Sequence, residues 1–185
     1  MAYALRCSPL PAAPSDVPGV TWELEEMGRA RPDGVELRWR DLVPMASEAL
    51  MPLPFFIEDL TPVELRVPPE AAEGHRLPVN GIAGLRVAVA HVQATARHLG
   101  RLLGAEPQAA SAPDAARFVL EAGETPQVIE LVGADYDSHA AEHLARLGEG
   151  PCEVRLAGAA VGAGDEGGVL SGPTHGVRFV LGGSS

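Results

Sequence analysis

With 185 residues, 46% of them hydrophobic, the chain is long enough to bury a core in one domain or in two small halves. A formal net charge of -11, from 25 acidic and 14 basic residues with no local basic stripe, argues against a nucleic-acid or anionic-membrane surface. No run reaches the roughly 18 consecutive apolar residues that a membrane helix requires, and Pro9, Pro11 and Pro14 break any leader-like apolar stretch, so a soluble cytoplasmic protein is expected.

Ala2 to Cys7 is a short apolar strand candidate, followed by a segment from Ser8 to Gly19 too rich in Pro for a regular helix. Thr21 to Met27 suits a strand or a helical turn. Pro32, Asp33 and Gly34 then supply a tight turn, with Pro setting φ and Gly accepting a positive φ. Val35, Leu37 and Trp39 alternate with Glu36, Arg38 and Arg40, the period of a half-buried strand. Its charged face turns either to solvent or to a cavity. Leu53 to Ile57 forms another strand, with Pro52 and Pro54 at its start, where missing donors do least harm.

Thr61 to Asn80 carries Pro62, Pro68, Pro69 and Pro78 and is expected to be a linker. Gly81 to Ala90 is a strand. A helix follows from His91 to Leu103, with Val92, Ala96, Leu99 and Leu103 as its stripe and Gly104 as its stop. Ala116 to Glu121 and Gln127 to Val132 flank the turn sequence GETP as a hairpin. Asp137 to Leu147 is a second helix with Ala141, Leu144 and Leu147 as its apolar stripe. Cys152 to Leu156 and Gly176 to Leu181 are strands separated by the Gly-rich loop VGAGDEGG, which opens no helix and is expected to be a connector. Cys7 and Cys152, far apart and without CxxC spacing, are expected to be reduced and half-buried.

The segments AYALR, RPDGVELRWR, PFFIE, GIAGLRVAV and VIELV resemble those of glyoxalase-like proteins of the vicinal oxygen chelate superfamily over roughly residues 1 to 135. The resemblance implies an α+β fold in which βαβββ modules form cupped mixed sheets with flanking helices. MAYALRC is similar to the first strand of a second module, so the fold is expected to be incomplete and to lack the family's first module. The expected organisation is a partial module over 1–60, a linker over 61–80, and a second module with a degenerate C-terminal half over 81–182.

In metal-dependent members of that superfamily, His at the start of each first strand and Glu in each fourth strand hold a divalent ion. Here Ile82 and Ala2 stand at the histidine positions, Pro151 or Cys152 at a further one, and Arg38 at a glutamate position. Only Glu130 matches. Among Val128, Ile129, Leu131 and Val132 its charge needs a compensating partner, and Arg86 or Arg155 from neighbouring strands is expected to supply it. His139 and His143 have the i, i+4 spacing of a ligand pair but read HAAEH, with no third convergent ligand. Glu130, His139 and His143 are thus weak metal candidates. His75, in a loop, and His175, before a strand, suit solvated or capping roles better than ligation.

No serine, cysteine or lysine sits in a nucleophile motif. If the charged strand face lines a cup, Arg38 and Arg40, with Glu36 beside them, could clamp a carboxylate or phosphate. The expected function is metal-free binding or sequestering of a small molecule by a homodimer, without a cofactor. The alternative is an enzyme of isomerase, lyase or dioxygenase class, using a divalent metal on a small oxygenated metabolite, with its site completed by a missing module or a second subunit.

Overall fold

The structure, a computed structural model, describes residues 2–13, 17–46, 52–68, 79–108, 110, 112–121, 126–158 and 177–181. The chain divides into two compact units, Ala2–Arg76 and Leu77–Ser185.

The first unit contains β1 (Ala4–Arg6), β2 (Val20–Ala30), β3 (Glu36–Ala46), β4 (Phe55–Asp59) and the short helix α1 (Val63–Arg66). Its sheet has the order β1-β4-β3-β2, with β1 parallel to β4 and the other pairs antiparallel. The expected turn joins β2 to β3. Gly34 takes φ 86°, its N–H donates to the Arg31 carbonyl at 2.9 Å, and Val35 N–H donates to Asp33 Oδ1 at 3.3 Å. Between Thr21 and Met27 the strand prevails over the helical turn, because β2 pairs with β3 along its whole length. The alternation also predicts too short a β3. The strand runs on to Ala46, and Leu37 on one face and Leu42 on the other are both buried. Both faces of this sheet therefore bury apolar side chains, and no helix longer than α1 lies among the unit's described residues.

The second unit contains β5 (Val79–Ala88), α2 (Val92–Leu103), β6 (Ala115–Leu120), β7 (Gln127–Val132), α3 (Ser138–Leu147), β8 (Gly150–Gly158) and β9 (Arg178–Leu181), in a sheet of order β6-β7-β5-β8-β9. β5 lies parallel to β7, β6 antiparallel to β7, and β8 antiparallel to the other edge of β5. This is the strand, helix, strand, strand order expected over 81–132. A single antiparallel bridge, Gln108 to Arg117, stands on the outer side of β6, where a further strand of a βαβββ module would pair. The protein is thus mixed α+β with βαβββ-like topology. The first unit has four strands and a Pro-rich segment in the helix position, whereas the second has the helix and one strand reduced to a bridge.

Strand parity assigns the two faces of the second sheet. Phe118, Ile129, Leu131 and Val87 share one side, where Phe118 meets α2 at Gly100. α2 ends at Gly104 in the left-handed conformation, φ 63°, as expected. Its buried residues are Val92, Ala96, Leu99 and Leu102, the last in place of the expected Leu103. On the other side Ala88, Ala115, Val132, Ala140 and Cys152 form a small-residue core.

The buried face of α3 also differs from the expected stripe. Ala140 and His143 are buried, Leu144 is half-buried, and Leu147 is exposed. Asp137 caps the helix by accepting from Ala140 N–H at 2.7 Å, which sets its phase, and the small Ala88 and Cys152 admit Ala140. Cys152 is fully buried where half-burial was expected; Cys7 is half-buried, and both are free thiols. Residues 69–78 of the linker, His75 among them, the first three residues of GETP, the loop VGAGDEGG and His175 lie outside the described residues.

Candidate functional site

Two groups of polar side chains stand out, one in each unit. In the first, β3 carries Glu36, Arg38 and Arg40 on one face by strand alternation. Arg38 is exposed and meets Glu26 at 3.4 Å. Arg40 is half-buried and donates to Glu58 Oε2 at 2.5 Å. The same face becomes apolar beyond Arg40, with Leu42 buried against its register partner Phe56, and with Trp22 and Phe56 ring centroids 6.0 Å apart.

Arg40 Nε and Trp22 Nε1 are buried on that face without a hydrogen-bond partner among the described residues. So is the hydroxyl of Tyr3, which lies two residues before Leu5, the register partner of Phe56. Burial raises the pKa of the Tyr3 phenol. Buried donors without acceptors are rare in folded proteins and mark places where a partner is missing. At the hairpin end of the sheet a hollow of about 320 Å3 is lined by Gly28, Arg29, Ala30, Glu36, Leu37 and Arg38. Two of the expected ligand residues thus border a hollow, while Arg40 sits farther along the strand.

In the second unit, register sets five charged residues in a row across five strands: Arg117 on β6, Glu130 on β7, Arg86 on β5, Glu153 on β8 and Arg178 on β9. The signs alternate along the row. Arg86 Nε donates to Glu130 Oε2 at 2.9 Å, and its NH1 donates to Glu153 Oε2 at 3.1 Å. Arg155 reaches both acids, through NH2 to Glu130 and through Nε to Glu153, each at 3.1 Å. Arg178 donates to Glu153 through Nε at 2.7 Å and also through NH2. Tyr136 lies under the Arg86 guanidinium, 4.7 Å from ring centroid to Cζ, and its hydroxyl accepts from Arg86 NH2 at 3.1 Å. Asp137, while capping α3, stands 3.7 Å from both Arg86 and Arg178.

This network sets the ionisation of its members. Burial pushes the Glu153 pKa up, but Arg86, Arg178 and Arg155 outweigh it and the net shift is downward. For Arg86 burial works against the charge, and the two acids more than restore it. Burial dominates at Cys152, whose thiol is pushed up to about 11.

Both arginines named from the sequence as partners for Glu130 therefore reach it. Glu153, Arg178, Tyr136 and Asp137 were missed, as were Trp22, Tyr3 and Glu58. The available signal was a single charge inside an apolar strand, as in PCEVRL and GVRFVL, since such charges must find opposite ones on neighbouring strands.

The metal that the family resemblance implies does not fit these residues. Glu130 Oε2 is engaged by two guanidinium groups, and the exposed hydrocarbon side chain of Ile82 stands at the histidine position. His139 Nε2 is 3.0 Å from the Cys152 carbonyl, which can only accept, so that nitrogen carries the proton and is closed to a cation. His143, one turn on, is buried in the helix face toward the sheet. Among the described residues no three His, Cys, Asp or Glu side chains come together as a metal-holding group. Among the same residues no helix is long and apolar enough to cross a membrane.

The family model described as "Glyoxalase-like domain" matches residues 1–103, more than half of the chain. No curated protein matches the chain.

Proposed function

The chain belongs to the glyoxalase-like domain family, and from that premise we propose that it binds a small organic anion without a catalytic metal. The observation that carries this reading is the pair of buried donors without a partner among the described residues, Arg40 Nε and Trp22 Nε1, on one face of the first unit's sheet. The ionised oxygens of a carboxylate or phosphate are hydrogen-bond acceptors, which is what such groups lack. Arg38, two residues from Arg40 on the same face, adds an exposed cation, and Glu36 on the hollow's rim disfavours a second negative group there. The engagement of Glu130 by Arg86 and Arg155 supports the metal-free part of the reading.

Thermal unfolding in the presence of malonate, lactate or inorganic phosphate, with elemental analysis of protein purified without chelator, tests this proposal. At least one anion is expected to raise the melting temperature. The rise should shrink in Arg40→Lys, which keeps the charge and removes Nε, and divalent metal should be far below one ion per chain. No shift with any anion overturns the binding reading, and a stoichiometric divalent ion moves the enzyme alternative into first place.

A further inference from the structure

β2 forms one outer edge of the first unit's sheet, and every residue from Glu23 to Ala30 is exposed. An uncovered edge offers a row of backbone donors and acceptors to another strand. Which residues offer them follows from the hairpin. Arg31 N–H donates to the Val35 carbonyl at 2.8 Å, and the register from Val20↔Ala46 to Ala30↔Glu36 is unbroken, so the odd-numbered residues of β2 point their backbone groups at β3. Leu60 N–H bonds to the Arg38 carbonyl at 2.9 Å, which confirms that the even-numbered residues of β3 face β4 instead. Trp22, Leu24, Glu26, Gly28 and Ala30 therefore direct their backbone groups outward.

The side chains along this edge say what fits there. Glu23, Glu25, Met27 and Arg29 share one face, and the three charged ones have no ion-pair partner among the described residues. An edge of one sign would repel a copy of itself. This edge carries acids toward its start and a base toward its end, an order complementary to its own reverse.

We propose that two copies of this chain associate through β2, antiparallel about a two-fold axis at Met27. Glu26 then exchanges backbone hydrogen bonds with the partner's Gly28. Glu25 stands across from the partner's Arg29, Glu23 across from the partner's Arg31, and Met27 meets the partner's Met27. Centring the pair on Leu24, Glu25 or Glu26 sets acid against acid. Centring it on Gly28 leaves only Glu25 facing the partner's Arg31, a residue already bonded to Asp33 and to the Leu65 carbonyl within its own chain. The Met27 register alone joins outward-facing backbone, sets Glu25 against an Arg29 of the other copy that has no ion-pair partner of its own among the described residues, and opposes no like charges.

Sedimentation or light scattering of the full chain at low salt tests the interface through charge reversal at exposed positions. The wild type is expected to be a dimer that salt weakens. Glu25→Arg and Arg29→Glu should each raise the dimer dissociation constant about tenfold or more, and combining them should restore it, because the swapped charges again oppose each other. Circular dichroism reports whether each variant is folded. A monomeric wild type, a dimer indifferent to either single reversal, or a double variant no tighter than the singles overturns the proposal.

Discussion

Arg86 and Glu130 face each other across the parallel pair β5 and β7, with Nε 2.9 Å from Oε2, and the two residues are only 6% and 7% exposed. A charge taken from water at such a depth is tolerated only with a geometrically good partner. Glu153 supplies Arg86 with a second partner on its other side, so one guanidinium separates two buried carboxylates.

Removing that guanidinium should therefore cost more than removing either acid's charge. Arg86→Met leaves Glu130 and Glu153 without their shared cation and should lose about 3 to 5 kcal/mol in urea unfolding, the usual cost of breaking a buried pair. Glu130→Gln keeps an acceptor for Arg86 and Arg155 and should lose about 1 to 2 kcal/mol. Metal content should be the same in both variants and in the wild type.

The depressed pKa of Glu153 makes stability fall in acid. Such a group stabilises the fold fully above its ordinary value of 4.5, and the contribution is lost as pH falls through the lower folded-state value. The urea midpoint of the wild type should drop more steeply than that of Glu153→Gln between about pH 5 and pH 2. Parallel profiles would show that other groups govern the acid limb.

Neighbours on β3 should differ sharply. Leu37, 1% exposed, should lose about 2 to 5 kcal/mol on truncation to Ala, whereas Arg38→Ala, on the exposed face, should change stability by less than about 0.5 kcal/mol. Trp39 is half-buried and sits under Arg66, with Cζ 5.7 Å from the ring centroid. Trp39→Ala should fall between the two, at about 2 kcal/mol, below the cost of deleting a fully buried aromatic.

The two thiols should be distinguishable by labelling. Cys152 is fully enclosed and its thiol is pushed up to about 11 by burial, while Cys7, whose thiol is also raised by burial and by Glu58, is only half-buried and open to reagent. A thiol-disulfide reagent at about pH 8 should modify Cys7 in the native protein and reach Cys152 only on unfolding, since the thiolate is the reacting form. Equal rates, measured by peptide mapping, would show that the β8 end of the core opens freely.

Features set by a few consecutive residues were legible from the sequence. Pro32, Asp33 and Gly34 make their turn, and Gly104 ends its helix, because φ preferences act locally. Glu130 pointed to Arg86 and Arg155 because a lone charge in an apolar strand has few places to find a counterion. The phase of α3 was not legible, since the Asp137 cap and the small residues beneath Ala140 fix it jointly. Nor was the full charged row. It exists only once five strands take up a register, and Arg178 is brought to Glu153 by a parallel pairing that no local pattern encodes.

The row also dictates when the second unit can close during synthesis. Arg86 emerges early, but its counterions lie 44 and 67 residues further along the chain. Until both arrive, β5 carries a hydrated guanidinium near the buried end of what must become the sheet's central strand, and burying it would be opposed by desolvation. Pairing of β5 with β7 alone leaves its other edge open and Glu153 still to be made. A nascent chain released after α3 should thus remain loosely ordered, and protease resistance should appear only when β8 has left the ribosome. Long-range closure of this kind is slow, so the last strands act as the latch on a unit whose central strand was among the first of its parts to appear.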